Sequence, residues 1–106
     1  MIIRTNFVPH GFDALTLWPF ILVRPQQAEN FPLIAHEMVH YREQAWITPF
    51  WIARYLLSKK FRFDAEVRAY RIQISLGGIT VMQAAELLTR YQTGCEFSEA
   101  LSAVQA

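Results

Sequence analysis

The sequence predicts a single α+β domain, spanning residues 1–106, in which a small and mostly antiparallel sheet packs against helices. Two observations carry this prediction. β-Branched and aromatic residues dominate the first two dozen positions, whereas the remaining chain shows helical spacing of its apolar residues and several helix caps. With 53% hydrophobic residues, a chain of this length can bury one core, and we find no repeat or linker.

Two strands are predicted in the amino-terminal part, from Ile2 to Val8 and from Ala14 to Arg24. The turn residues 10–13 lie between them, so a hairpin is expected. Pro19 and Pro25 remove amide donors from the second strand, which favours an edge position or a strand end over the middle of a sheet. An exposed edge of this kind can bind an extended peptide.

The first two helices are predicted from their start signals. Asn30 is a suitable N-cap and is followed by proline in the first turn, which predicts a helix from about Phe31 to Trp46. Thr48 and Pro49 open a second, short helix over residues 50–57.

Three further helices are expected. Apolar residues recur at steps of three and four between Arg62 and Leu76, and the pair Gly77-Gly78 supplies a stop. Thr80 and Gln83 form a capping box before a helix that reaches about residue 91 and is ended by Gly94. Ser98 is the expected cap of a last short helix.

Composition excludes several classes of protein. Ten basic and nine acidic residues nearly cancel, so nucleic acid is not an expected partner. The single cysteine, Cys95, can form neither an internal disulfide nor a cysteine-based zinc site. No apolar run reaches the ~20 residues of a spanning helix, and the chain shows no signal peptide, so a cytoplasmic location is expected. The oligomeric state is not indicated.

The segment His36-Glu37-Met38-Val39-His40 lies on the first predicted helix. Successive helical residues are about 100° apart, so the two histidines lie about 40° from each other and can reach one metal ion. Glu37 falls about 60° from His40, where its carboxylate can act as a general base on a metal-bound water. The alternative is a solvated helix on which these three residues coincide by chance.

A catalytic zinc ion is usually held by three side chains and a water, so a third ligand is needed. Glu66 is favoured because its helix is separated from the motif helix by one short helical segment, which allows the two to pack face to face. Ala69, one turn later, is small enough to permit a close approach. Asp64 and His10 remain alternatives. The full set of candidates is His10, Asp64, Glu66, Glu86 and Glu96.

The pattern of His36-Glu37-x-x-His40 followed by Glu66-x-x-Ala69 resembles that of the gluzincin metallopeptidases, especially the minimal forms called minigluzincins. The resemblance covers about residues 15–73. It implies a zincin-like fold and one Zn²⁺ per chain, held by His36, His40 and Glu66, with Glu37 as the general base. It also implies an edge strand that holds the substrate extended, for which the candidates are Leu17, Trp18, Phe20, Ile21, Leu22 and Val23.

The resemblance does not determine which residues surround the metal ligands. Related membrane-embedded gluzincins carry an aspartate directly after the alanine of the glutamate motif, whereas this sequence has Tyr70. Short phage and prophage proteins with the same histidine motif look similar too, with a glutamine near the helix end, here Gln44. Tyr70, Tyr41, His10 or an arginine can supply a donor to an oxyanion, and spacing alone does not choose among them.

The sequence therefore predicts a zinc metallopeptidase that acts on a peptide or protein substrate. One alternative is a catalytically inactive zinc-binding module with an interaction or regulatory role. Another is a metal-free interaction domain that uses the apolar segment 46–57. That segment is expected mainly to form core, and the alternative is a patch that binds a partner or touches a membrane. A basic cluster in and after it is expected to be a solvated face: Arg54, Lys59, Lys60, Arg62, Arg68 and Arg71.

Overall fold

The computed structural model describes residues 1–90 and 96–105, and these form an α+β fold, as the sequence predicts. The elements in chain order are β1 (Ile2–Arg4), β2 (Ala14–Leu17), β3 (Phe20–Val23), α1 (Phe31–Gln44), α2 (Thr48–Leu57), α3 (Lys59–Ser75), α4 (Val81–Arg90) and α5 (Phe97–Gln105). A short 3₁₀ turn, Pro25–Gln27, precedes α1. The predictions that concern Gly94, Cys95 and the end of the fourth helix at residue 91 lie outside the described residues.

The three strands pair in the order β1-β3-β2. β2 and β3 are antiparallel, with Leu17 opposite Phe20, and β1 runs parallel to β3, with Ile3 opposite Leu22. Two predictions are therefore wrong. The sheet is mixed and not mostly antiparallel, and the hairpin lies within the predicted second strand, which the cis peptide Trp18-Pro19 divides. Because proline has no N–H for the ladder, Pro19 lies in the turn and not in a strand.

This order also corrects the predicted edge strand. Phe20, Ile21, Leu22 and Val23 belong to β3, which is the central strand and has both edges paired. The edge strand next to the helices is β2, which contains Leu17 but not Trp18. Arg24 N–H donates to the Asp13 carbonyl, so the alternating antiparallel pattern directs the N–H and C=O groups of Ala14 and Thr16 away from β3.

Local capping determines where the helices begin and end. α3 begins three residues before the predicted Arg62, because the Ser58 side chain accepts a hydrogen bond from Phe61 N–H. Ser98 is not a cap, since α5 already begins at Phe97. The capping box of Thr80 and Gln83 is present, with reciprocal bonds of 2.9 and 3.1 Å.

The glycine pair after α3 stops that helix as predicted. Gly77 has a φ of 77°, the left-handed conformation that commonly ends helices. A Cβ on Gly78 would lie 2.3 Å from Cβ of Pro32, in the first turn of α1. This close contact fixes the end of α3 against the start of the helix that carries the histidines.

α3 lies at the centre of the helical part of the molecule and contacts α1, α2, α4 and α5. Tyr70 packs in a buried cluster with Ala84, Ala85 and Leu88 of α4 and with residues of α5. The sheet covers the opposite side of α1 through β2 and β3. Among the described helices, none is both long enough and apolar enough to cross a membrane.

The apolar segment 46–57 is not mainly core, contrary to the prediction. Trp51 is buried and Tyr55 is half-buried, but Trp46, Phe50 and Leu56 are exposed. α2 contacts the rest of the molecule along one side only, toward α3 and α1. Its other side therefore presents large apolar side chains to solvent.

Candidate metal centre

α1 holds the histidine motif in a fixed orientation. The Asn30 side chain caps the helix by accepting a hydrogen bond from Leu33 N–H at 3.2 Å, and Pro32 occupies the first turn. His36, Glu37 and His40 lie on the buried side of the helix, facing α3. Burial of three ionisable groups side by side requires each to have a partner.

Glu66 of α3 is the partner of the two histidines. Its Oε1 lies 2.7 Å from Nε2 of His40, and its Oε2 lies 3.5 Å from Nε2 of His36. One ligand atom from each of the three residues lies within 4.8 Å of the others, so this buried cluster can hold a metal ion. Asp64 is instead half-exposed and pairs with Lys60, and His10 is exposed in a turn. Of the candidate third ligands, the structure brings Glu66 to the histidines.

Small residues allow the two helices to approach closely enough for this contact. Ala65 and Ala69 are fully buried, and α1 and α3 pack along much of their length. A larger side chain at Ala69, one turn after Glu66, would push the helices apart. The burial of Ala69 is consistent with the spacing role that the sequence predicts for it.

The charges in the cluster are strongly coupled. Burial alone would raise the pKa of Glu66, but the neighbouring His40 and His36 lower it below its usual value. Burial alone would lower the pKa of His40, but the Glu66 and Glu43 carboxylates raise it to about 10. The carboxylate is therefore ionised and His40 is protonated in the metal-free protein at neutral pH.

The donor set suits zinc. Two imidazole nitrogens and one carboxylate form a combination found in catalytic zinc sites, and tetrahedral coordination at ~2.0 Å separates ligand atoms by about 3.3 Å. The 3.5 Å separation of His36 and Glu66 is close to that value, while the 2.7 Å separation of His40 and Glu66 is a direct hydrogen bond. Among the described residues, Nδ1 of His36 has no hydrogen-bond partner.

Glu37 lies beside the cluster and not within it. Its Oε2 is 3.9 Å from Nε2 of His36, and burial raises its pKa although both histidines oppose the shift. Thr16 of β2 donates from its hydroxyl to the Glu37 backbone carbonyl at 3.1 Å and approaches Oε1 at 3.4 Å. A carboxylate with a raised pKa next to a metal position is suited to accepting a proton.

Glu43 and Arg68, which the sequence analysis did not assign to the site, lie on the other side of His40. Oε1 of Glu43 lies 3.6 Å from Nδ1 of His40, and Oε2 of Glu43 pairs with Nε of Arg68 on α3 at 2.5 Å. Such outer carboxylates commonly orient metal-binding histidines. The spacing of three residues after His40 could have indicated Glu43 from the sequence, but the position of Arg68 depends on the packing of α1 on α3.

Tyr55 of α2 is the other residue that the sequence analysis missed at the site. Burial raises the pKa of its hydroxyl, and the charge of Glu66 together with a hydrogen bond to Glu66 raises it further. Trp51, one turn earlier, stacks on Tyr55 and lies 5.5 Å from the His40 ring. The signal available in the sequence was the spacing of four residues between Trp51 and Tyr55, which places both rings on one face of the helix.

The remaining predicted neighbours have different positions. Tyr70 is buried, its ring lies 4.5 Å from that of His36, and it is one of the residues that line the cavity. Tyr41 lies near Trp18, with ring centroids 6.3 Å apart. Gln44 is turned toward the hairpin, where its amide donates to the Thr16 carbonyl and accepts from Trp18 N–H.

A cavity of about 540 Å³ opens onto the cluster. Residues 11–17, which include β2, form one wall, and Trp51, Ile52 and Tyr55 of α2 form another. Most of the exposed lining is apolar, while His36, Glu37, His40 and Glu66 provide the polar floor. A cleft with a few convergent polar groups on an apolar surface is typical of ligand-binding sites.

Comparison with protein-family models, with curated proteins and with solved structures finds no match to this chain. The assignment of function therefore depends on the geometry and chemistry of the site.

Proposed function

We propose that this chain is a zinc-dependent metallopeptidase. The observation that carries the proposal is the buried cluster of His36, His40 and Glu66 with the carboxylate of Glu37 beside it, at the floor of an open cavity. A metal site with only a structural role would not require a second buried carboxylate next to the ligands or an open cavity above them.

His36, His40 and Glu66 would hold the zinc ion. When bound, zinc lowers the pKa of a coordinated water toward ~7 and polarises a carbonyl oxygen. Glu37 accepts the proton of the attacking water and passes it to the leaving amine. Tyr55 and Tyr70, whose rings line the same cavity, can donate hydrogen bonds to the developing oxyanion.

β2 supports the choice of a peptide substrate. Its outward N–H and C=O groups, those of Ala14 and Thr16, border the cavity wall. An extended polypeptide can add to such an edge as a further strand. Thr16 is buried and its carbonyl already accepts a bond from Gln44, so the groups of β2 that can pair with a substrate are the N–H and C=O of Ala14.

The test combines metal content with cleavage of an unstructured protein such as casein. We expect about one zinc per chain after dialysis against metal-free buffer, and cleavage that Glu37→Gln reduces by roughly a hundred- to ten-thousandfold while zinc remains bound. Glu29→Gln is the matched control, because it makes the same change at an exposed carboxylate just before α1.

Full cleavage by Glu37→Gln would overturn the assignment of the general base. A protein that holds zinc but cleaves no member of a diverse peptide library would instead be the inactive zinc-binding module. If no zinc is retained even after zinc is added back, the metal site itself is wrong.

A further inference from the structure

The outward side of α2 is apolar. Helical residues advance by about 100° per position, so Pro49, Phe50, Ala53, Leu56 and Leu57 share the arc opposite the buried Trp51. Arg54 lies at one margin of this arc. Side chains of this kind ordinarily face a core, yet Phe50 is 73% exposed and Leu57 is 87% exposed.

The two residues before α2 that are apolar are exposed as well. Trp46 is 85% exposed and Ile47 is 50% exposed. Trp46 has a φ of 64°, which bulky residues rarely adopt, and its ring lies 4.6 Å from that of Trp18. Together with the outward residues of the helix, they form what we call the α2 surface: Trp46, Ile47, Phe50, Ala53, Leu56 and Leu57.

The charge around the α2 surface has one sign. Residues 46–62 contain Arg54, Lys59, Lys60 and Arg62 and no acidic residue, although the whole chain has a net charge of only +1. Arg54, Lys59 and Lys60 are exposed. The first acidic residue beyond the segment is Asp64, which pairs with Lys60 at the surface.

We propose that the α2 surface binds the face of a membrane that contains anionic lipids. Aromatic and aliphatic side chains enter the boundary between headgroups and acyl chains, and lysine and arginine beside them attract lipid phosphates. α2 has ten residues, so it lies on the bilayer and does not cross it.

Other occupants fit these residues less well. In a two-fold dimer the same patch meets itself, which would oppose the basic residues of the two copies with no acidic residue of the segment to pair them. Nucleic acid would engage the basic residues but would leave the apolar centre of the surface without a partner.

This surface adjoins the candidate metal centre. Leu56 belongs to the α2 surface and also lines the cavity, together with Ile52 and Tyr55 from the same helix. A chain bound through α2 would thus have its cleft beside the bilayer, where membrane-associated polypeptides are concentrated. The membrane proposal does not depend on metal binding or on proteolysis.

The test is co-sedimentation of the purified chain with lipid vesicles. We expect binding to vesicles of phosphatidylcholine and phosphatidylglycerol, little binding to phosphatidylcholine alone, and weaker binding in about 0.5 M salt, where charges are screened. Phe50→Ser/Leu57→Ser should weaken binding by about tenfold or more, and Lys59→Glu/Lys60→Glu should remove the preference for anionic lipid.

Phe7→Ser/Leu76→Ser is the matched control, because it removes two exposed apolar side chains away from α2. All variants are compared by circular dichroism to establish that they fold. Equal vesicle binding by the α2 and control variants, or no binding to anionic vesicles at low salt, would overturn the proposal. A dimer that Phe50→Ser/Leu57→Ser converts to a monomer would make the surface an interface between copies instead.

Discussion

The two histidines of the candidate metal site have different surroundings. His40 is hydrogen-bonded to Glu66 through Nε2 and faces Glu43 through Nδ1, whereas His36 lies edge-on to the ring of Tyr70. Carboxylates on both sides of His40 stabilise its protonated form and raise its pKa. Zinc would have to displace this proton, since only neutral imidazole binds metal.

This charge predicts how the stability of the metal-free protein depends on pH. The pKa of His40 rises from 6.5 in the unfolded chain to about 10 in the folded one, so between these values the folded state binds more protons and stability falls as pH rises. The lowered pKa of Glu66 contributes stability above its ordinary value of 4.5 that is lost in acid. We therefore expect the urea midpoint to be highest between pH 4.5 and 6.5.

The measurement is urea unfolding, followed by tryptophan fluorescence, across this pH range in the presence of a chelator. His10→Gln is the control, because His10 is exposed and should leave the pH dependence unchanged. His40→Gln should flatten the decline above pH 6.5. A midpoint that rises steadily from neutral to alkaline pH would contradict the prediction.

At the scale of elements, α1 and the β2-β3 hairpin are joined by side chains on the helix. Gln44 is only 1% exposed and bonds to the Thr16 carbonyl at 3.0 Å and to Trp18 N–H at 2.8 Å. Thr16 in turn bonds to the backbone of Glu37. These contacts set the distance between the edge strand β2 and Glu37.

Replacement of Gln44 should therefore loosen the hairpin. Gln44→Ala leaves a buried carbonyl and an amide without partners, and we expect the free energy of unfolding to fall by about 2–3 kcal/mol. Gln26→Ala, at an exposed position of the 3₁₀ turn, should change it by less than about 0.5 kcal/mol. Denaturant unfolding measures both, and equal effects would exclude the bridging role of Gln44.

The elements themselves were largely predictable because their signals are local. The side chains of Asn30, Thr80 and Gln83 accept hydrogen bonds from amides three residues away, and both caps that they form are present. The strand order was not predictable, because the pairing of β1 with β3 joins residues about 20 positions apart. Pro19 was assigned to a strand, whereas it forms the turn of the hairpin.

At the scale of the whole molecule, the candidate metal site of His36, His40 and Glu66 joins α1 to α3. The sheet covers one side of α1, and the cluster of α4 and α5 covers α3. A metal ion bound by residues of both helices would therefore connect the part of the fold that contains the sheet to the part that contains α4 and α5. Metal that binds only the folded chain stabilises it by mass action.

Zinc should raise the melting temperature through this connection. We expect an increase of about 10 °C with zinc in excess, reversed by a chelator, for the unaltered protein. Glu66→Gln should abolish most of the increase, whereas Asp64→Asn should retain it, since Asp64 lies outside the cluster. Differential scanning calorimetry measures the melting temperature of each variant with and without zinc. An increase of the same size in Glu66→Gln as in the unaltered protein would exclude Glu66 as a metal ligand.

The sequence by itself determined the helices and the alignment of His36 with His40, because residues four apart on a helix always share a face. It favoured Glu66 among several carboxylates, but only the packing of α1 on α3 brought that residue to the histidines. The tertiary structure alone decided that β2 forms the edge of the sheet, that Tyr55 lines the cleft and that α2 turns its apolar side outward. These features depend on contacts between distant parts of the chain, which no local pattern of residues encodes.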